Sequence, residues 1–235
     1  MSSIAQSLEE IRNRVTVLER RYGRAPGDVR LLAVSKTKPP EAVREAAACG
    51  QREFGENHVQ DALTKLDALP REDLIWHFIG PLQSNKTRVV AARFHWVHSI
   101  DRVKIARRLN EQRPEDLPPL ELCIQVNVSG ESSKSGVEPH QVKDLADAIA
   151  ELPRLRLRGL MTLPRASDNL EEQRRPFATL GRIQESLNAA GHALDTLSMG
   201  MSNDMEAAIA EGATIIRIGT AIFGPRSAPP GEEDR

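Results

Sequence analysis

The stretch Leu31-Leu32-Ala33-Val34-Ser35-Lys36-Thr37-Lys38-Pro39-Pro40 is an apolar run, closed by a lysine, that passes at once into a proline-started helix. Leu31 to Ser35 fits a buried β-strand, and Lys36 to Pro40 the strand-to-helix loop, because proline suits the first turn of a helix. The turn carries neither GxGxxG nor GxxxxGK, the glycine-rich marks of an open nucleotide-binding sheet. Lys36 then lies at the C-terminal end of a first strand, the face on which parallel α/β folds keep their chemistry. A partly desolvated lysine in that place can lose its proton and attack an aldehyde. The plain alternative is a surface lysine after a strand.

Outward from this unit, strand-like runs alternate with helical stretches. The runs are Leu31 to Ser35, Glu53 to Gly55, Ile75 to Gly80, His95 to His98, Leu120 to Val128, Leu157 to Leu163, Thr196 to Ser198 and Ile215 to Ile218. Between them lie Glu41 to Cys49, Val59 to Leu69, Lys86 to Ala92, Arg102 to Gln112, Gln141 to Leu152, Leu170 to Ala190 and Asp204 to Glu211, with Ala221 to Phe223 a short last helix. Strict alternation implies parallel strands joined by crossover helices. The α/β class and a single closed (β/α)8 TIM barrel follow, at the small end of that fold's size range. Ahead of it stands an extra N-terminal helix, with Ser3 and Gln6 in capping-box spacing and an apolar stripe of Ile4, Leu8, Ile11, Val15 and Leu18. It is expected to pack on the outside or the bottom of the barrel. Residues 1–226 form one domain on this reading, and 227–235 a polar, disordered tail.

The chain has 235 residues, 32 basic and 33 acidic, for a net charge of -1. This balance gives no electrostatic reason for a nucleic-acid or membrane partner. No segment has the ~20 apolar residues of a membrane span, and the N-terminus lacks a basic-then-apolar signal, so a cytoplasmic protein is expected. Cys49 and Cys123 fit no metal spacing and read as buried small hydrophobes. His95 and His98, three apart in a strand, point to opposite faces and fail as a ligand pair.

In a barrel the loops after strands seven and eight often bind phosphate. Here they are Met199-Gly200-Met201-Ser202-Asn203-Asp204 and Gly219-Thr220, each with a glycine for close approach and a hydroxyl before a helix. Helix capping by Ser202, Asn203 or Thr220 is the alternative. Arg217 lies inside the apolar run Ile215 to Gly219 and needs a partner there. Either it pairs with a barrel carboxylate, Glu53 or Glu56, or it faces an anion or a ring nitrogen at the mouth. Asn57 follows the second strand as a pocket residue or a helix cap. His77 reads as a satisfied core histidine, Ser129 to Gly136 as a flexible turn, and Met161, Met199 and Met201 as pocket or core filling.

A lysine after strand one and a phosphate cup after strands seven and eight together describe a pyridoxal 5′-phosphate site. The blocks Ala33 to Thr37, Phe54 to Asn57, His77 to Lys86, Val126 to Gly130 with Ser133 to Gly136, Arg158 to Met161, Leu197 to Ser202 and Arg217 to Gly224 closely resemble the YggS/PROSC family, the pyridoxal phosphate homeostasis proteins. The resemblance implies a barrel like that of alanine racemase, with Lys36 holding the cofactor as a Schiff base. It also implies that Ser202, Gly219 and Thr220 cradle the phosphate, that Asn57 lines the ring pocket and that Arg217 faces the pyridine nitrogen. His58 departs from the family, which usually has tyrosine there. The implied function is buffering or delivery of the cofactor, with other B6 vitamers and apo-enzymes that use it as possible partners, and with a monomeric state. Lys86 or Lys134 as a second vitamer site stays an open expectation.

The alternative is an amino-acid racemase. Such chemistry needs an electron sink and placed proton-transfer groups. An arginine opposite the ring nitrogen does not readily give up a proton, and alanine racemase takes its tyrosine base across a dimer that includes a second domain. The single tyrosine here, Tyr22, ends the N-terminal helix.

Overall fold

The computed structural model describes residues 3–70, 73–129 and 135–225. Eight parallel strands close into a barrel: β1 (Arg30–Val34), β2 (Glu53–Glu56), β3 (Ile75–Phe78), β4 (Trp96–Ile100), β5 (Leu120–Gln125), β6 (Leu155–Met161), β7 (Thr196–Ser198) and β8 (Ile215–Ile218). Each strand pairs with the next, and β8 returns to β1 with Leu32 opposite Arg217. The helices are α1 (Ile4–Arg21), α2 (Pro40–Ala48), α3 (Val59–Ala68), α4 (Thr87–Arg93), α5 (Val103–Gln112), α6 (Val142–Ala150), α7 (Leu170–Ala189), α8 (Met205–Ala210) and α9 (Thr220–Phe223).

The expected alternation and closure hold, and the ends differ where pairing overrides composition. Leu155 pairs with Leu120, so β6 starts two residues before the apolar run does. β5 stops at Gln125, since Val126 leaves the ladder for an isolated bridge to Val137. His95 stands just outside β4, its Nδ1 accepting the Trp76 N–H at 3.0 Å. The tail at 227–235 and residues 130–134 of the small-residue loop, Lys134 included, lie outside the described residues.

Period-two alternation sorts each strand into two faces. Ala33, Phe54, Trp76, Phe78, Val97, Leu122, Ile124, Leu160, Leu197, Ile216 and Ile218 join the core between sheet and helices. The residues between them point inward. At the centre of the barrel Trp96, Cys123 and Met161 make a small second cluster. Burial there pushes the Cys123 thiol up to about 12, which leaves it an inert filler. Cys49 is only half-buried, at the C-cap of α2.

α1 begins with the expected capping box: Ser3 Oγ accepts from Gln6 N, and Gln6 Oε1 from Ser3 N. Its buried Leu8, Ile11, Val15 and Leu18 contribute about 1.5–3 kcal/mol each. The helix packs against α2, α8 and α9. α9 is a single turn, too short to cover the seam between β8 and β1, and α1 supplies that cover from outside. Among the described residues no helix is long and apolar enough to cross a membrane.

Candidate functional site

The C-terminal ends of the strands open into a cavity of about 550 Å³, within the range of small-molecule sites. Lys36, Asn57, Ser202, Arg217, Gly219 and Thr220, widely spread in sequence, all line it. Val34 and Met161 add apolar floor, and the exposed side chains of Leu163 and Met201 form part of the rim.

Lys36 projects from a tight turn in which Lys38 N donates to Ser35 O at 3.0 Å. Thr37, at the third position of that turn, has φ +64°, an uncommon conformation for a β-branched residue. Among the described residues no other non-glycine has a positive φ, so the turn next to Lys36 stores backbone strain. Lys38 Nζ donates to Pro225 O at 2.6 Å and closes the loop against the end of the barrel.

Beneath the turn lies a buried ion pair. Lys65 of α3, 2% exposed, donates to Glu56 Oε1 at 2.6 Å and to Ser35 O at 2.7 Å. Ser35 Oγ donates to the same carboxylate oxygen at 2.6 Å. Burial raises the Glu56 pKa above the usual carboxylate range, against the pull of Lys65 and Ser35. The triad fixes the two residues that immediately precede Lys36 and Asn57.

Asn57 is not a helix cap: His58 occupies the N-cap position of α3 and makes no side-chain cap bond. The Oδ1 of Asn57 is buried and has no hydrogen-bond partner, an acceptor left over at the pocket wall. Its backbone packs so closely on Gly80 that a Cβ there would come within 2.1 Å of Asn57 O. His58 does not line the main cavity. It borders the neighbouring one, with Asn57, Phe78 and Lys86.

Capping does not occupy the cup residues either. The N-cap of α8 is Asp204 and that of α9 is Gly219, neither with a side-chain cap bond. Gly200 takes φ +95° where its Cβ would meet that of Ala208 at 2.5 Å, so only glycine lets this loop fold over α8. Gly219 lies against β1, where a Cβ would approach Val34 O to 3.2 Å.

Arg217 is 4% exposed and pairs with neither Glu53 nor Glu56. Glu53 belongs to Arg30 and His77, and Glu56 to Lys65. Arg217 donates instead to Ser198 Oγ at 2.8 Å and to Thr162 O at 2.9 Å. Burial brings its pKa down to about 10, opposed by Asp204 and Cys123, so the guanidinium stays charged at neutral pH. Asp204, itself raised by burial, also lines the cavity.

Sequence reasoning missed the loop between β6 and α7, from which Leu163, Pro164, Ala166, Ser167 and Asp168 wall the cavity. Gln173 Nε2 links this wall to the next loop, donating to Ser167 O and Asn203 O. The available signal was its place after a barrel strand.

The alanine racemase N-terminal domain family matches residues 6–227. A pyridoxal phosphate homeostasis protein of Pseudomonas aeruginosa is 56% identical over 96% of this chain and 97% of its own length. The chain belongs to the pyridoxal phosphate homeostasis family. The relative of that name from Escherichia coli is 51% identical, over 96% of this chain and 98% of its own length. PipY of Synechococcus elongatus, solved with pyridoxal phosphate bound, superposes with a TM-score of 0.84 at 37% identity, covering 94% of this chain and all of that one. An alanine racemase of Corynebacterium glutamicum shares the fold at 19% identity and a TM-score of 0.71, with 93% of this chain covering 62% of that one.

Proposed function

We propose that this chain holds pyridoxal 5′-phosphate in the mouth of its barrel, bound covalently through Lys36, and buffers or delivers it in the cytoplasm as a monomer. The convergence of Lys36, Asn57, Ser202, Arg217, Gly219 and Thr220 on one cavity carries this reading. The residues present fit the group. An unpartnered buried acceptor at Asn57, a buried cation at Arg217 and two glycine-and-hydroxyl loops surround a space of suitable volume. When bound, the cofactor supplies an aldehyde that condenses with a primary amine to a Schiff base. Lys36 is that amine. Ser202, Gly219 and Thr220 hold the phosphate, Asn57 contacts the ring, and Arg217 faces the ring nitrogen.

Storage rather than turnover is favoured by the same geometry. A guanidinium with a pKa of about 10 is a poor proton source for the ring nitrogen, which weakens the ring as an electron sink. Tyr22, the chain's single tyrosine, donates its hydroxyl to Glu206 at 3.0 Å from the end of α1 and does not line the cavity. Other phosphorylated B6 vitamers fit the same phosphate and ring contacts, and apo-enzymes that use the cofactor are the recipients. The test is an absorption spectrum of the purified protein with pyridoxal phosphate, then borohydride reduction and peptide mass mapping. A visible band and a reduced adduct on Lys36 are expected. An unmodified Lys36 with no band refutes the reading.

A further inference from the structure

A line of buried polar side chains crosses the interior of the barrel, from the N-terminal end of β2 to the floor of the cavity. Arg217 NH1 lies 2.8 Å from Ser198 Oγ, and Ser198 Oγ lies 2.8 Å from His98 Nδ1. His98 Nε2 lies 2.9 Å from His77 Nδ1, and His77 Nε2 lies 3.2 Å from Glu53 Oε2. Ser198, His98 and His77 are all fully buried. They come from β7, β4 and β3, and the ends of the line from β8 and β2.

The chemistry of the two ends sets the direction of every bond between them. A guanidinium only donates and a carboxylate only accepts. With the His77 Nε2 proton turned toward the Glu53 carboxylate, His77 Nδ1 accepts from His98 Nε2–H, and His98 Nδ1 then accepts the proton of Ser198, whose oxygen receives Arg217. Both histidines are then Nε2–H tautomers. In this arrangement both rings are neutral, and both nitrogens of His98 and the Nδ1 of His77 are hydrogen-bonded, while His77 Nε2 meets Glu53 at ion-pair distance without a hydrogen bond. Burial favours the neutral rings too, lowering the pKa of both histidines. The lower end is held in place: His77 stacks on Trp96 with centroids 5.5 Å apart, and Arg30 lies over the Trp96 ring, 5.1 Å from its centroid, while pairing with Glu53.

We infer that Ser198, His98 and His77 form a one-way hydrogen-bond column, with the Glu53 carboxylate facing its far end, that positions Arg217 for the ring nitrogen of the bound cofactor. This rests on the function proposed above and adds to it four positioning residues, none of which lines the cavity. The column holds one guanidinium nitrogen on Ser198 and Thr162 O takes the other, so the group has one orientation at the floor. A free arginine would swing toward Asp204, which faces it from the mouth loop. Its side chain would then pair with that carboxylate instead of the ring.

Two measurements test the inference on the intact protein. In wild-type protein labelled with 15N-histidine, NMR at neutral pH is expected to show His77 and His98 as neutral Nε2–H tautomers. An Nδ1–H tautomer or an imidazolium at either position overturns the column. Separately, Ser198→Ala is expected to raise the dissociation constant for pyridoxal phosphate about tenfold and to move the visible band of the bound cofactor. Ser198→Thr, which keeps the hydroxyl, restores both. A wild-type constant and band in Ser198→Ala, even with a lowered melting point, reduces the column to a structural role and overturns the inference. Absence of any Lys36 adduct in the wild type is a different result: it refutes the cofactor reading, whatever the tautomers.

Discussion

Lys65→Met removes the cation beneath the lysine turn, and the structure sets the size of the effect. Lys65 is 2% exposed and Glu56 fully buried, with 2.6 Å between Nζ and Oε1. Removing one partner of such a pair costs about 3–5 kcal/mol, because the remaining charge is left buried and uncompensated. For a chain of this size that is a fall in melting point of roughly 10 °C. Glu56 Oε2 already lacks a partner, so without Lys65 only the Ser35 hydroxyl remains to satisfy the carboxylate. Glu56 then relieves its charge by taking up a proton. Its folded pKa, already raised by burial, rises further, while the unfolded value stays near ~4.3. A raised folded pKa gives stability that is full below the unfolded value and lost as pH climbs through the folded one. The deficit of Lys65→Met should therefore shrink in acid and grow toward neutral pH. Urea unfolding at a series of pH values, for wild type, Lys65→Met and Lys65→Met with Glu56→Gln, measures it. The double variant is expected to recover part of the loss, since no buried charge remains. A deficit below about 1 kcal/mol, or one that does not change with pH, refutes the argument.

Lys36→Ala should abolish both the visible band and the borohydride-reducible adduct; unchanged affinity for pyridoxal phosphate would instead mark a non-covalent binder. Gly80→Ala drives a Cβ to 2.1 Å from Asn57 O, a backbone atom that cannot step aside. It should cost several kcal/mol in urea unfolding and weaken cofactor binding through Asn57, and wild-type values for both would contradict the packing. Thr37→Gly relieves a φ of +64° worth ~1–3 kcal/mol and adds ~1 kcal/mol of chain entropy to the unfolded state. It should be neutral to stabilising by up to about 2 kcal/mol, and a loss of more than 1 kcal/mol would show that the turn is not strained. In deuterated buffer, alanine incubated with the loaded protein should show no α-carbon exchange above that caused by free cofactor; faster exchange would favour the racemase alternative.

Most of the barrel was legible because its signals are local. Most strands are apolar runs, with the short β2 and β7 the exceptions, the crossovers are helical stretches, and their alternation implies parallel pairing. The site was legible for a related reason: every residue proposed to touch the cofactor lies at or just past a strand end, where closure carries it to one mouth. The polar interior follows a different rule. Lys65 sits on α3 among Leu63, Thr64 and Leu66, and nothing in that spacing separates a buried partner of Glu56 from an exposed lysine. His77 reads singly as a satisfied core histidine, and His98 only as one half of a failed ligand pair; both are buried in the barrel. What makes them a column is that β3, β4, β7 and β8 bring Arg217, Ser198, His98 and His77 into line, with β2 adding the carboxylate that fixes the direction. Arg217 shows why this matters for reading a sequence. Its burial demanded a partner, and the two glutamates were sensible candidates by charge, yet a neutral hydroxyl and a carbonyl hold it. The carboxylate that acts on its charge is Asp204, from the loop after β7, a neighbour that only the closed barrel reveals.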